Sequence, residues 1–173
     1  LSLPRGHRAL TDVMVRSEGR DGRVYGRVAE ELNRGLHETM EADRDVVLIG
    51  EDLLDPSGGA FKVSRGLSTR FPDQVISTPI AEAAIVGVSN GMALAGVRPV
   101  AEVMFADFAT LAADQLINFA AKFHAMYGGK VVCPLTVRLV SGGGRGYGPT
   151  HSQCLESLFC GVPGPRGVAL SRR

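Results

Sequence analysis

Two carboxylates, one histidine and a pair of aromatic rings are the side chains here whose type and setting could do chemistry. Glu82 opens a helix within Thr78-Pro79-Ile80-Ala81-Glu82. An acid in a first helical turn is favoured by the helix dipole by about 0.3–1 kcal/mol, which alone would account for it. The turns that follow are almost purely apolar or small, however, so partial burial is expected. Burial raises a carboxyl pKa and retains a proton that can be shared, which suits an acid or base. Glu51 follows the apolar run Val46-Val47-Leu48-Ile49-Gly50 and is either an ordinary loop acid or a site residue at a sheet edge. His151, after Gly148-Pro149-Thr150, is either a polar residue before a helix or a proton-transfer group on a loop. Phe105 and Phe108 flank Asp107; they can pack in a core, or offer a flat face to a heterocycle.

Other motifs point away from familiar chemistries. The loop Ser141-Gly142-Gly143-Gly144-Arg145-Gly146-Tyr147-Gly148 lacks the Lys-Ser or Lys-Thr ending of a phosphate-binding loop. His151 and Cys154 are three residues apart, but two ligands do not make a zinc site, and no metal site is expected on this chain. Ser89 and Ser152 lack the context of a nucleophile elbow. A net charge of +1 gives no general pull toward nucleic acid or an anionic membrane. No stretch approaches the roughly 18 apolar residues of a membrane span. Three cysteines, Cys133, Cys154 and Cys160, do not form a disulfide framework and suit a reducing cytoplasm.

The positioning elements follow from hydrophobic periodicity. Val24, Val28, Leu32, Leu36 and Met40 make one stripe of a helix. Buried strands are expected at Val46–Ile49, Val75–Ser77, Val97–Val103 and Val131–Val140, and a fifth could begin at Gly167–Leu170. Helices are expected over Ala81–Ala95, Ala109–Tyr127 and from Gln153 to Phe159. In the first of these, Ala83, Gly87, Gly91 and Ala95 lie four apart, which suggests another backbone packed closely on that face. Strands alternating with helices imply an α/β fold, a three-layer sandwich with a mainly parallel sheet. Such a sheet binds ligands beyond the C-terminal ends of its strands, where Glu51, Glu82, the Glu102–Phe108 segment and His151 would gather.

Six segments in one order carry a resemblance. They are Gly50-Glu51-Asp52, the run Gly58–Leu67, Thr78–Glu82, Met104–Phe108, Asp114–Asn118 with Ala120-Ala121-Lys122, and His151-Ser152-Gln153. Together, from about Val24 to Gly164, they resemble the beta subunit of the thiamine diphosphate-dependent 2-oxo acid dehydrogenases, in its pyrimidine-binding, transketolase-like domain.

The resemblance implies that Glu82 hydrogen-bonds the aminopyrimidine ring nitrogen of thiamine diphosphate. A proton shared there favours the imino tautomer, whose nitrogen then removes the thiazolium carbon proton; the cofactor does the chemistry and the protein tunes it. Phe108 would pack on the pyrimidine, Glu51 would belong to an acidic passage linking paired active sites, and His151 would serve acyl transfer to a lipoyl group. An alpha subunit would share the cofactor and hold most of the Mg2+, since the Gly-Asp-Gly signature for the pyrophosphate end is absent from this chain. A second beta subunit and a lipoyl-bearing acyltransferase would be the other partners. The expected domains are a flexible leader over 1–23, the pyrimidine-binding domain over 24–164 and a tail over 165–173, with the family's C-terminal domain not expected within this sequence. The alternative is a non-catalytic remnant or assembly module of the same fold. The Arg-rich leader leaves the mitochondrial matrix open beside the cytoplasm.

Overall fold

The computed structural model describes residues 28–144 and 146–170. The leader over 1–23, the helical start expected at Val24 and Arg145 of the glycine loop lie outside the described residues.

Helix α1 (Val28–Ala42) carries Leu32, Leu36 and Met40 on its inner face, and strand β1 (Val46–Glu51) follows after a short turn. A 3-10 turn (Ala60–Lys62) and the single-turn helix α2 (Leu67–Arg70) lead to strand β2 (Val75–Thr78). Helix α3 (Glu82–Leu94) crosses back to strand β3 (Arg98–Val103). A 3-10 turn (Ala106–Thr110), a π-helical stretch (Gln115–Ala120) and helix α4 (Phe123–Met126) lead to strand β4 (Thr136–Leu139). A 3-10 turn (Pro149–His151) and helix α5 (Ser157–Cys160) complete the described elements.

All strand pairings are parallel and the order is β2-β1-β3-β4. Side chains alternate across a strand. Val46, Leu48 and Val100 therefore pack with Met40, Leu53 and Leu67 on one face. Ile49 and Ala101 pack with Ile85 of α3 on the other. This is the expected three-layer α/β sandwich. Strand β1 is a nearly continuous apolar run, and β3 is buried from Pro99 to Val103 even though it carries Glu102, as central strands covered on both faces are. From β1 the chain moves outward to β2, then crosses to β3 on the opposite side. The order thus reverses between β1 and β3, and in an open parallel sheet the ligand crevice lies at that switch point.

Several expectations are corrected. Ala109–Tyr127 is not one α-helix. Its apolar positions Leu111 and Leu116 are five apart, a step that suits a wider turn, and the Ala121 amide donates to the Leu116 carbonyl at 3.0 Å, five residues back. The Gln115 carbonyl instead accepts from Asn90 Nδ2 at 2.9 Å. Strand β4 begins only at Thr136, since Pro134 cannot donate to a ladder. The last helix starts at Ser157 rather than Gln153, because the Gln153 side chain and amide are bonded elsewhere. Gly167–Leu170 forms no strand. On α3, a Cβ at Gly87 would meet the Gln115 side chain at 3.2 Å and one at Gly91 would meet nothing within 4 Å, so no backbone of the described residues packs closely against these two glycines.

Beneath the C-terminal edge lies a buried ion pair that tethers β3 to its neighbours. Glu102 of β3 and Arg138 of β4 are register partners, and their charged groups are in direct contact. Glu102 is only 1% exposed, and its Oε1 also accepts the Ala60 amide at 2.6 Å. Removing one member of a buried pair strands the other charge, at a cost of about 3–5 kcal/mol. Arg138→Met should lose stability on that scale in denaturant unfolding, whereas Arg138→Lys should lose much less.

Candidate active site

Glu51 is the last residue of β1, and Glu82 is the first of α3, just past the end of β2. Both are buried, at 4% and 7% exposure. Ala81, in non-helical conformation, caps α3 without a side-chain bond, and Glu82 is buried at the helix start. Among the described residues no donor reaches Glu51 Oε1. Burial pushes the Glu51 carboxyl up from its ordinary range, and the negative charges of Glu82, Asp52 and Glu102 push it further the same way. The two acids that sequence reasoning singled out therefore face one another electrostatically at the edge of the sheet. Such an arrangement favours holding a proton over releasing it.

Beyond β3, Phe105 and Phe108 bracket His151. The imidazole centroid lies 4.9 Å from Phe105 and 5.1 Å from Phe108, in edge-to-face contacts with interplanar angles of 77° and 89°. The half-buried Phe108 ring also packs on the cluster of Val86, Val103 and Ala112. His151 Nδ1 sits 3.0 Å from the Thr150 hydroxyl. Phe105 in turn meets Tyr147 of the glycine loop at 5.7 Å and Phe61 at 6.1 Å. The structure thus joins His151 to Phe108, and separately joins Glu51 to Glu82, both groupings at the strand ends around the switch point.

Three features escaped sequence reasoning. Asp107, between the phenylalanines, accepts Gln153 Nε2 at 2.8 Å and the Gln153 amide at 3.4 Å. Burial pushes its carboxyl up, but these bonds and others from nearby backbone outweigh it and hold the group below the usual carboxylate range. Glu102 and Arg138 were hidden inside apolar strands; opposite charges within two adjacent buried strands are the signal that would have found them. Phe61, in a left-handed backbone at φ 58°, is placed against Phe105 and Tyr147 by the loop after β1. That loop is locked by Asp55, whose carboxylate accepts Thr69 Oγ1, the Gly66 amide and Ser68 Oγ and is held down at about 2.

Among the described residues, no group of three or more His, Cys, Asp or Glu side chains is arranged to hold a metal, and no helix is long and apolar enough to cross a membrane.

An open parallel α/β sheet of order 2-1-3-4, with two buried acids and a ring-flanked histidine at its strand ends, is the architecture of a ligand-binding α/β domain. The transketolase pyrimidine-binding domain family matches residues 27–170. The beta subunit of an acetoin:2,6-dichlorophenolindophenol oxidoreductase from Cupriavidus necator is 38% identical over 149 residues, covering 81% of this chain and 44% of that protein. The mitochondrial pyruvate dehydrogenase E1 component subunit beta of Bos taurus is 40% identical over 143 residues, covering 82% of this chain and 40% of its own length. A split-gene transketolase, solved as an inactive beta4 tetramer, shares the fold with a TM-score of 0.58 at 22% identity, covering 76% of this chain and 38% of its own. The chain belongs to the transketolase pyrimidine-binding domain family, and its curated relatives include beta subunits of an acetoin oxidoreductase and of pyruvate dehydrogenase. It spans less than half the length of the curated relatives it matches.

The electrostatic coupling of the acids is open to measurement. Followed by carbon NMR of its carboxyl, Glu51 should titrate above the ordinary glutamate midpoint of about 4.3. Glu82→Gln removes one repelling charge and should move that midpoint down; an unmoved midpoint would mean that the two carboxylates do not sense each other.

Proposed function

We propose that this chain supplies the pyrimidine-binding half of a thiamine diphosphate-dependent 2-oxo acid dehydrogenase. Catalysis would then need an alpha chain to hold the pyrophosphate end and Mg2+. The observation that carries this reading is Glu82: a carboxylate only 7% exposed at the ligand edge, beside the buried Glu51, in a family that binds a pyrimidine. Burying a carboxylate is costly unless it is hydrogen-bonded, and a heterocyclic nitrogen is a fitting partner. Thiamine diphosphate, when bound, supplies the carbanion-stabilising centre on which decarboxylation runs.

The residues of this chain have distinct tasks in that scheme. Glu82 holds a proton at the ring nitrogen. Glu51, itself pushed toward the protonated form, keeps the negative charge beside Glu82 low and can pass a proton on. The half-buried ring of Phe108 offers an apolar face to the heterocycle. His151, half-buried at the rim, moves a proton at the lipoyl sulfur during acyl transfer to the acyltransferase component. The exposed face of α3, with Val88 at 54% exposure beside Ala83, Gly91 and Ala95, offers a surface for a neighbouring alpha or beta subunit. Pyruvate, a branched-chain oxo acid and acetoin all suit the chemistry. The compartment is the cytoplasm, or the mitochondrial matrix if the leader is a targeting peptide.

With the alpha chain, thiamine diphosphate and Mg2+, Glu82→Gln should lower decarboxylation by at least about a hundredfold, within the usual range for losing an acid–base group. Decarboxylation at the unaltered rate would remove Glu82 from its role. His151→Ala should impair lipoamide acylation more than turnover with an artificial electron acceptor; equal loss in both assays would count against the transfer role.

A further inference from the structure

The segment after β3 and the segment carrying His151 are joined at three points, one of which no function has yet been given. Two are the phenylalanine rings, set edge-on to the imidazole, Phe105 just before the 3-10 turn Ala106–Thr110 and Phe108 within it. The third is the buried carboxylate between them. Asp107 Oδ1 accepts both the side-chain amide and the backbone amide of Gln153, two residues past His151. An ionised carboxylate only accepts, so it fixes which end of the Gln153 amide faces it. The Gln153 carbonyl in turn accepts the Gly142 amide at 3.2 Å, tying the start of the glycine loop to the same point. Pinned from both sides and with Nδ1 beside the Thr150 hydroxyl, the imidazole has Nε2 as the nitrogen left for a reacting partner.

A bond that served the fold alone would not require a carboxylate. Asp107 is 7% exposed and no donor among the described residues reaches its Oδ2, a cost that apolar packing of the same turn would avoid. We propose that Asp107 is a positioning residue: through Gln153 it sets the His151 imidazole between Phe105 and Phe108 for acyl transfer. This rests on the function proposed above for His151. Because a misplacement of about 1 Å can cost about a hundredfold in rate, even a modest loosening should be visible.

The test uses the full-length chain assembled with its alpha chain, thiamine diphosphate and Mg2+, and reads two rates: decarboxylation with an artificial electron acceptor, and acylation of lipoamide. Absence of both in the unaltered complex would refute the proposed function, whatever Asp107 does. If decarboxylation is present, Gln153→Ala and Asp107→Ala should each lower kcat for acylation by about tenfold or more and lower the artificial-acceptor rate far less. The double variant should be no worse than either single one, because both remove the same bond. Asp107→Asn, which can still accept from Gln153, should recover most of the acylation rate. If Asp107→Ala does not fold, Gln153→Ala decides, since that residue is exposed. Acylation at the unaltered rate, equal loss of both rates, or losses that multiply in the double variant would each overturn the assignment.

Discussion

The C-terminal edge of the sheet depends on the carboxylate of Glu102. It binds Arg138 across the β3–β4 ladder and the Ala60 amide on the far side. Backbone can approach it closely only because glycines are present. A Cβ at Gly59 would lie 2.6 Å from Glu102 Oε1, and one at Gly50 would lie 2.7 Å from its carbonyl oxygen. Gly59 also adopts φ 66°, which side-chain-bearing residues rarely reach. The loop after β1 is thereby folded down onto β3, and Phe61 is delivered to the aromatic cluster around Phe105. One buried charge pair thus fixes three segments that otherwise meet only at their ends.

Above that joint, charge of one sign accumulates. Glu51, Asp52, Glu82 and Glu102 all lie near the β1–β3 switch point, and among the described residues only Glu102 of these has a cation in contact. Folding gains nothing from bringing unpaired acids together under burial; the arrangement lowers stability, and it disfavours full ionisation of the group. Strain of this kind concentrates at sites where a protein has a use for a retained proton. The aromatic half of the site is built in the opposite way. There His151 is flanked by rings and held by hydrogen bonds, so its position is fixed by packing rather than by charge.

Much of this was legible in the sequence because it depends on local rules. The buried strand at Val46 is a continuous apolar run, the one at Val97 is largely apolar between Arg98 and Glu102, and the helix starting at Glu82 shows its apolar turns directly. Their order implied a parallel sheet and, with it, the edge where Glu51, Glu82, Phe108 and His151 would gather. What could not be read depends on register. Glu102 and Arg138 are 36 positions apart, and only the ladder makes them neighbours. Asp107 and Gln153 are joined across 46 residues by a loop whose path no periodicity encodes. The break in the helix after Ala109 was visible only as an irregular five-residue step, and its cause, the capture of the Gln115 carbonyl by Asn90, is again a tertiary contact.

Helix α3 connects the two requirements of the proposed function. Its first residue is the buried acid Glu82, and its outer face presents small residues and Val88 to solvent. Small residues let a second backbone come close, so a subunit docked on that face would also remove water from the surroundings of the helix start. Lower local dielectric would strengthen the bond between Glu82 and any heterocyclic nitrogen it meets. Assembly and the hold on the heterocycle would then be governed by one element.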